Sequence, residues 1–131
     1  MKSKQAIAFA PQLYIESGIT DISFYEKAFG ATELRRFTND DGSIHVAELS
    51  IDDLLFHLHE DSARLNHFNP HRLNSTTVVI GLFVKDVDAV MKKAIEAGAV
   101  VISPAQSYDY GYRQGEIKDP FGHVWMIEAK L

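Results

Sequence analysis

The chain has 131 residues, 46% hydrophobic and 24% charged, enough for one soluble domain with a real core and too few for two ordinary ones. Acidic residues outnumber basic ones 18 to 13, and the resulting net charge of -5 argues against a nucleic-acid partner, whose phosphates require clustered Lys and Arg. No cysteine is present, which excludes disulfides, thiol nucleophiles and thiolate metal sites; no apolar run approaches the ~20 residues that span a bilayer, so a cytoplasmic location without a membrane partner is expected.

In chain order, Ala6 to Ile15 reads as a strand. Asp21 is placed to cap a helix carrying Ile22, Tyr25, Ala28 and Phe29, which Gly30 closes. Thr32 to Phe37 forms a second strand, and Asn39-Asp40-Asp41-Gly42 is a hairpin signal leading into His45 to Ile51. Asp52-Asp53 turns the chain into Leu54 to His59. The segment from Glu60 to Thr76 is polar, rich in His and Asn, and contains Pro70, so it reads as a connector.

Thr77 to Val84 is β-branched and apolar, as in a buried strand. Asp86 then caps a helix whose apolar positions Val87, Val90, Met91, Ala94 and Ile95 share one face, and Gly98 ends it. Ala99 to Ile102 is a short strand stopped by Pro104. A Tyr-rich loop follows, then Gly115 to Lys118, an Asp119-Pro120-Phe121-Gly122 turn, and a last strand from His123 to Ala129.

Each half therefore runs β-α-β-β-β, and the halves overlay at an offset of about 69 residues. Leu13-Tyr14-Ile15 falls on Leu82-Phe83-Val84, and Leu55-Phe56-His57-Leu58 falls on Val124-Trp125-Met126-Ile127. The expected organisation is one α+β domain over 1–131, with modules at 6–59 and 77–131 joined by a connector at 60–76.

Three segments carry a resemblance. Ser23-Phe24-Tyr25-Glu26-Lys27-Ala28-Phe29-Gly30-Ala31 resembles the first-helix signature of the vicinal oxygen chelate superfamily, which includes glyoxalases, bleomycin resistance proteins and extradiol dioxygenases. Leu82-Phe83-Val84-Lys85-Asp86-Val87-Asp88 resembles the start of its second module. Gly111-Tyr112-Arg113-Gln114-Gly115 followed by Lys118-Asp119-Pro120-Phe121-Gly122-His123-Val124-Trp125 is similar to the PhnB-like and bleomycin-resistance branch. The resemblance implies paired βαβββ modules whose sheets curl around a ligand cavity, often in homodimers. It also implies four metal-ligand positions, which here are Ala10, His57, Val79 and Met126. Only His57 suits a hard or borderline metal, so no metal site and no cofactor are expected.

Side chains alternate across a strand, and that parity selects the inward set. It turns Gln12 and Tyr14, His57 and His59, Phe83, and Met126 and Glu128 toward the cavity. Tyr108, Tyr110 and Tyr112 supply flat amphipathic area for a ligand or for a subunit contact, and Arg113 is suited to pairing with a ligand acid. The candidate ligand-binding residues are Gln12, Tyr14, His57, His59, Phe83, Tyr110, Arg113, Met126 and Glu128. His123 reads as a hairpin-positioning residue, and Glu48 and Glu116 carry no assigned chemistry. The favoured reading is a metal-free binder of a small organic ligand. The alternatives are a metal-dependent lyase, isomerase or dioxygenase with an irregular site built from His57, His59 and Glu128, and metal-free acid–base catalysis by His57 and Glu128.

Overall fold

Alternation along the strands builds two sheets in the computed structural model, which describes residues 6–131. In the first half β1 (Gln12–Ile15), α1 (Phe24–Phe29), β2 (Thr32–Thr38), β3 (Ile44–Ile51) and β4 (Leu54–Glu60) give a mixed sheet ordered β1-β4-β3-β2. After α2 (Pro70–Leu73), the second half repeats the plan with β5 (Val79–Phe83), α3 (Val87–Glu96), β6 (Val100–Tyr108), β7 (Tyr112–Lys118) and β8 (Val124–Lys130), ordered β5-β8-β7-β6. Among the described strand pairs only β1·β4 and β5·β8 are parallel, because the chain between their strands passes through other elements, whereas the antiparallel pairs are joined by direct turns. The two βαβββ modules read from the sequence are present, and neither sheet closes into a barrel. No helix among the described residues is long and apolar enough to cross a membrane.

One face of each sheet is apolar and lies under a helix. Leu13, Ile15, Phe56 and Leu58 are buried in the first, and Leu82, Ile117, Trp125 and Ile127 in the second. They meet Tyr25 and Ala28 of α1 and Met91 and Ala94 of α3, and the two helices touch each other. Trp125 fills the junction, with its ring 4.8 Å from Phe29 and 6.0 Å from Phe56 between centroids. The helices therefore occupy the shared core, and the opposite face of each sheet is left open.

Four local features differ from the sequence reading. β1 begins at Gln12 rather than Ala6, just after Pro11, which has no N–H to give to a ladder. α1 begins at Phe24: Asp21 accepts instead from the Ser23 amide and hydroxyl, a turn that precedes the helix and holds its own carboxyl below the usual range. β6 continues through Pro104 as an edge strand with register shifts between Val101 and Ser103 and between Ser103 and Gln106, the setting in which a strand tolerates proline. As a result Tyr108 and Tyr112 sit at strand ends, and only the turn between them, with Tyr110, is loop. α2 arises inside the connector, where the Asn69 side chain accepts from the His71 and Arg72 amides and Pro70 occupies the first helical turn.

The Asp119-Pro120-Phe121-Gly122 turn does more than reverse the chain. Asp119 is 3% exposed. One carboxylate oxygen accepts from the Phe121 and His123 amides at 2.9 and 3.0 Å, the other from the Tyr25 hydroxyl at 2.5 Å and Trp125 Nε1 at 3.0 Å. Burial, and then the Asp119 charge, push the Tyr25 hydroxyl well above its ordinary value. Two histidines add further ties: His123 Nε2 donates to the Tyr14 carbonyl at 2.7 Å, and His71 Nε2 donates to the Pro120 carbonyl at 2.9 Å. His123 thus positions the hairpin, and β1 with it.

Removing this carboxylate leaves four donors without an acceptor. Asp119→Ala is expected to lower the urea unfolding free energy by roughly 3–5 kcal/mol, and Tyr25→Phe by about 1–2 kcal/mol. A loss below about 1 kcal/mol for Asp119→Ala contradicts the role assigned to it.

Candidate functional site

The open face of the first sheet is lined with polar aromatic groups. Register pairs Gln12 with His57 and Tyr14 with His59 across β1·β4, so these four side chains share a face. The Gln12 amide is oriented by donating Nε2 to the Ala10 carbonyl at 3.1 Å, which turns Oε1 toward His59 Nε2 at 2.6 Å. His59 Nε2 therefore carries a proton. Its ring stacks on Tyr14, 5.2 Å between centroids, and the Tyr14 hydroxyl bonds His67 Nδ1 at 2.7 Å. His67 enters from the connector, where the sequence left open a lid over the pocket or a solvated side chain and favoured the latter.

Glu48 is the residue that sequence reasoning passed over. It pairs with His57 across β3·β4, so its side chain is on the same face. Arg35 Nε grips one of its oxygens at 2.6 Å, and the other lies 3.7 Å from His57 Nε2. That nitrogen is buried and has no hydrogen-bond partner among the described residues. An expectation that exposed strand carboxylates are commonplace hid Glu48; the signal was the hairpin register, since Asp52-Asp53 sets which β3 residue stands opposite His57.

The second sheet presents a different chemistry. Phe83, Met126, Glu128 and Gln114 share its open face, Glu128 standing between Phe83 of β5 and Gln114 of β7. Tyr110 joins them by donating its hydroxyl to Gln114 Oε1. Arg113 does not. It alternates to the helix side of β7, where its guanidinium forks onto Asp88 of α3 at 2.8 and 2.9 Å and also donates to Ser107. This ion pair lowers the Asp88 carboxyl and raises Arg113, so the guanidinium is already committed to a carboxylate of its own chain.

Between the modules lies a cleft of about 660 Å³, bounded by the sheet edges β1 and β5 and covered by the connector. Gln12, Tyr14, Val79, Phe68 and Leu73 line it, with His123 also on its wall. Arg72 packs over Phe68 at 4.1 Å, which holds that ring in place. The cleft thus draws on residues from both sheets and from the segment between them.

The metal-ligand positions implied by the resemblance hold a methyl group at Ala10, an isopropyl group at Val79, a thioether at Met126 and one imidazole at His57. This donor set does not fit a hard or borderline divalent ion. Nor does the irregular alternative come together: Gln12 and His59 bond each other, while Glu128 belongs to the other sheet and bonds Gln114. Among the described residues no group of three or more His, Cys, Asp or Glu is arranged to hold a metal.

The family model for the glyoxalase/bleomycin resistance protein/dioxygenase superfamily matches residues 21–127. The chain belongs to that superfamily. An uncharacterized protein of Mycobacterium bovis is 37% identical over 123 residues, covering 92% of this chain and 81% of that protein. Among solved structures, a gene product of Arabidopsis thaliana is 26% identical with a TM-score of 0.71, covering 94% of this chain and 98% of its own. TioX from Micromonospora sp. ML1 shares the fold at 23% identity and a TM-score of 0.71, covering 96% of this chain and all, 100%, of TioX. The superfamily spans resistance proteins and metal enzymes alike, so the side chains on the open faces decide between readings.

His59 gives a pH dependence with a definite sign. Burial first, then the nearby charges of His57, His45 and His67, hold its pKa below 6.5. The unfolded chain binds more protons at His59 just below that value, so stability falls as pH drops through this window. The loss in urea midpoint between about pH 7.5 and 5.5 is expected to be smaller in His59→Gln than in the parent. An equal loss in both removes His59 as a source of the dependence.

Proposed function

We propose that the protein binds a small organic molecule in the cleft between its modules, without a metal, and works as a homodimer. The observation that carries the reading is the cleft itself. Its volume of about 660 Å³ lies within the roughly 300–1,000 Å³ usual for small-molecule sites. Its wall is mainly apolar, with the Gln12 amide and the Tyr14 phenol as the convergent polar groups. His57, His59, Phe83, Met126 and Glu128 extend the ligand surface along the two open faces, and Tyr110 borders it.

The metal-free part rests on the donors at Ala10, Val79 and Met126, which a catalytic ion does not use. The dimer rests on exposed apolar residues, Leu54 at 66% and Val100 at 64%, on a chain of a superfamily in which dimers are common. A cytoplasmic location accords with the absence of cysteine.

Two measurements test this reading. Val79 is 49% exposed on the cleft wall, so Val79→Trp fills the cleft without disturbing the core. The apolar dye anilinonaphthalene sulfonate is expected to bind the parent and to lose at least about tenfold in affinity in the variant; unchanged binding overturns the cleft as the site. Elemental analysis of untagged protein is expected to give far less than one metal per chain. A stoichiometric metal that disappears in His57→Ala overturns the metal-free reading.

A further inference from the structure

We propose that the open face of the second sheet holds a subsite for an organic ammonium group attached to a flat ring, recognised by Glu128 among aromatic side chains. This rests on the ligand-binding reading above and adds the chemical class of the ligand. Three observations carry it.

The first is a carboxylate held ready on one side only. Gln114 Nε2 donates to Glu128 Oε1 at 2.8 Å, and the Tyr110 hydroxyl, donating to Gln114 Oε1, sets which way that amide faces. Among the described residues the other oxygen, Oε2, accepts no hydrogen bond, and none of their Lys, Arg or His nitrogens stands within 4.0 Å of either oxygen. Lys130 follows on the same face and makes no ion pair with the described residues.

The second is the space made for that oxygen. A β-carbon on Gly81 would stand 2.7 Å from Glu128 Oε2. Glycine at this position lets the carboxylate lie down against β5 instead of standing off into solvent. Met126 and Phe83 flank the same spot, because Gly81 pairs with Met126 and Phe83 with Glu128.

The third is the aromatic surround. Phe83 contacts Tyr112 edge-on at 6.0 Å, Tyr112 lies 5.9 Å from Tyr110, and Tyr110 stacks on Tyr108 at 5.2 Å. Phe83 is 57% and Tyr110 63% exposed, so their rings are open to a partner. Local desolvation of the hydroxyl, then Tyr108 and the Glu128 charge, push the Tyr110 hydroxyl up, in keeping with its part as the donor to Gln114.

The chemistry of this set selects its ligand. A free carboxylate oxygen repels acids and accepts from N–H donors, most strongly from charged ones. Ring faces attract cations through their quadrupole and give flat apolar area to a planar group. A hard dication is poorly served, since one carboxylate beside an amide and a phenol falls short of the six or more oxygens such an ion takes. An ammonium joined to an aromatic ring uses both features together.

The test titrates isotope-labelled protein with phenethylammonium, 2-phenylethanol and 3-phenylpropionate, following amide shifts by NMR. Phenethylammonium is expected to move Gly81, Phe83 and Glu128 and to bind at least about tenfold tighter than the neutral or acidic probe. Glu128→Gln keeps the Gln114 contact and is expected to cancel that preference; Gly81→Ala, which displaces the carboxylate, is expected to weaken the ammonium about tenfold. Thermal melts of both variants near the parent show that the fold is retained. Equal binding of the charged and neutral probes, or no effect of Glu128→Gln, overturns the ammonium assignment. So does a Glu128→Gln variant that changes oligomeric state, since the carboxylate then serves a second copy of this chain. If anilinonaphthalene sulfonate still binds the parent and Val79→Trp still weakens it by about tenfold or more, ligand binding stands and only the ammonium subsite falls.

Discussion

A buried carboxylate accepting four hydrogen bonds sets where the two modules stand. Asp119 belongs to the last hairpin of the second module, yet one of its donors is Tyr25 on the helix of the first. The other side-chain donor, Trp125, lies against Phe29 and Phe56, so the same anchor orients the aromatic core between the sheets. A charge this deeply buried is tolerated only with all its acceptor sites engaged. That requirement ties turn geometry, helix position and β8 together. His123, one step beyond the turn, carries the constraint on to β1 by bonding the Tyr14 carbonyl.

From that anchor the position of the cleft follows. The helices meet in the shared core, so the sheets face outward, and their edge strands β1 and β5 border the gap between them. α2 then closes over part of the gap: Asp61 grips the Asn69 side chain and amide at 2.7 and 2.6 Å, and Asn69 in turn caps the helix. The connector is thus a built wall of the cleft, and its Phe68, Pro70 and Leu73 supply much of the apolar lining.

The repeat was legible because its signals are local. Asp86 capping α3 at the Ala89 amide, Gly30 in the left-handed conformation after α1, and the apolar parity of β4 and β8 each announce themselves within a few residues. Arg113 shows where local reading stops. Its parity on β7 was hidden while the segment before Gly115 read as loop, and the strand extending back to Tyr112 turns it toward Asp88. Glu48 was passed over, and the bond that His67 makes was not foreseen, for a related reason. Their importance lies in partners 9 and 53 residues away, and neither hairpin register nor connector path is written in composition. The Asp119 anchor was read as turn chemistry alone, since nothing near it in the chain announces the Tyr25 hydroxyl.

The two open faces show how one plan diverges by single residues. Register makes His59 and Glu128 equivalent, each standing beside an aromatic residue of the edge strand, Tyr14 in one module and Phe83 in the other. It also makes Gln12 equivalent to Gly81, one inward step back. In the first module the longer side chain fills the space and satisfies His59, so the imidazole is held as part of a closed polar network. In the second the glycine leaves the space empty and the carboxylate settles into it with one oxygen free. The residues at the superfamily's ligand positions beside them, His57 and Met126, do not form a metal centre. What distinguishes the faces is therefore the edge-strand residue. It decides whether the polar group next to it is hydrogen-bonded by the edge strand, as His59 is by Gln12, or keeps one oxygen without a partner among the described residues, as Glu128 does.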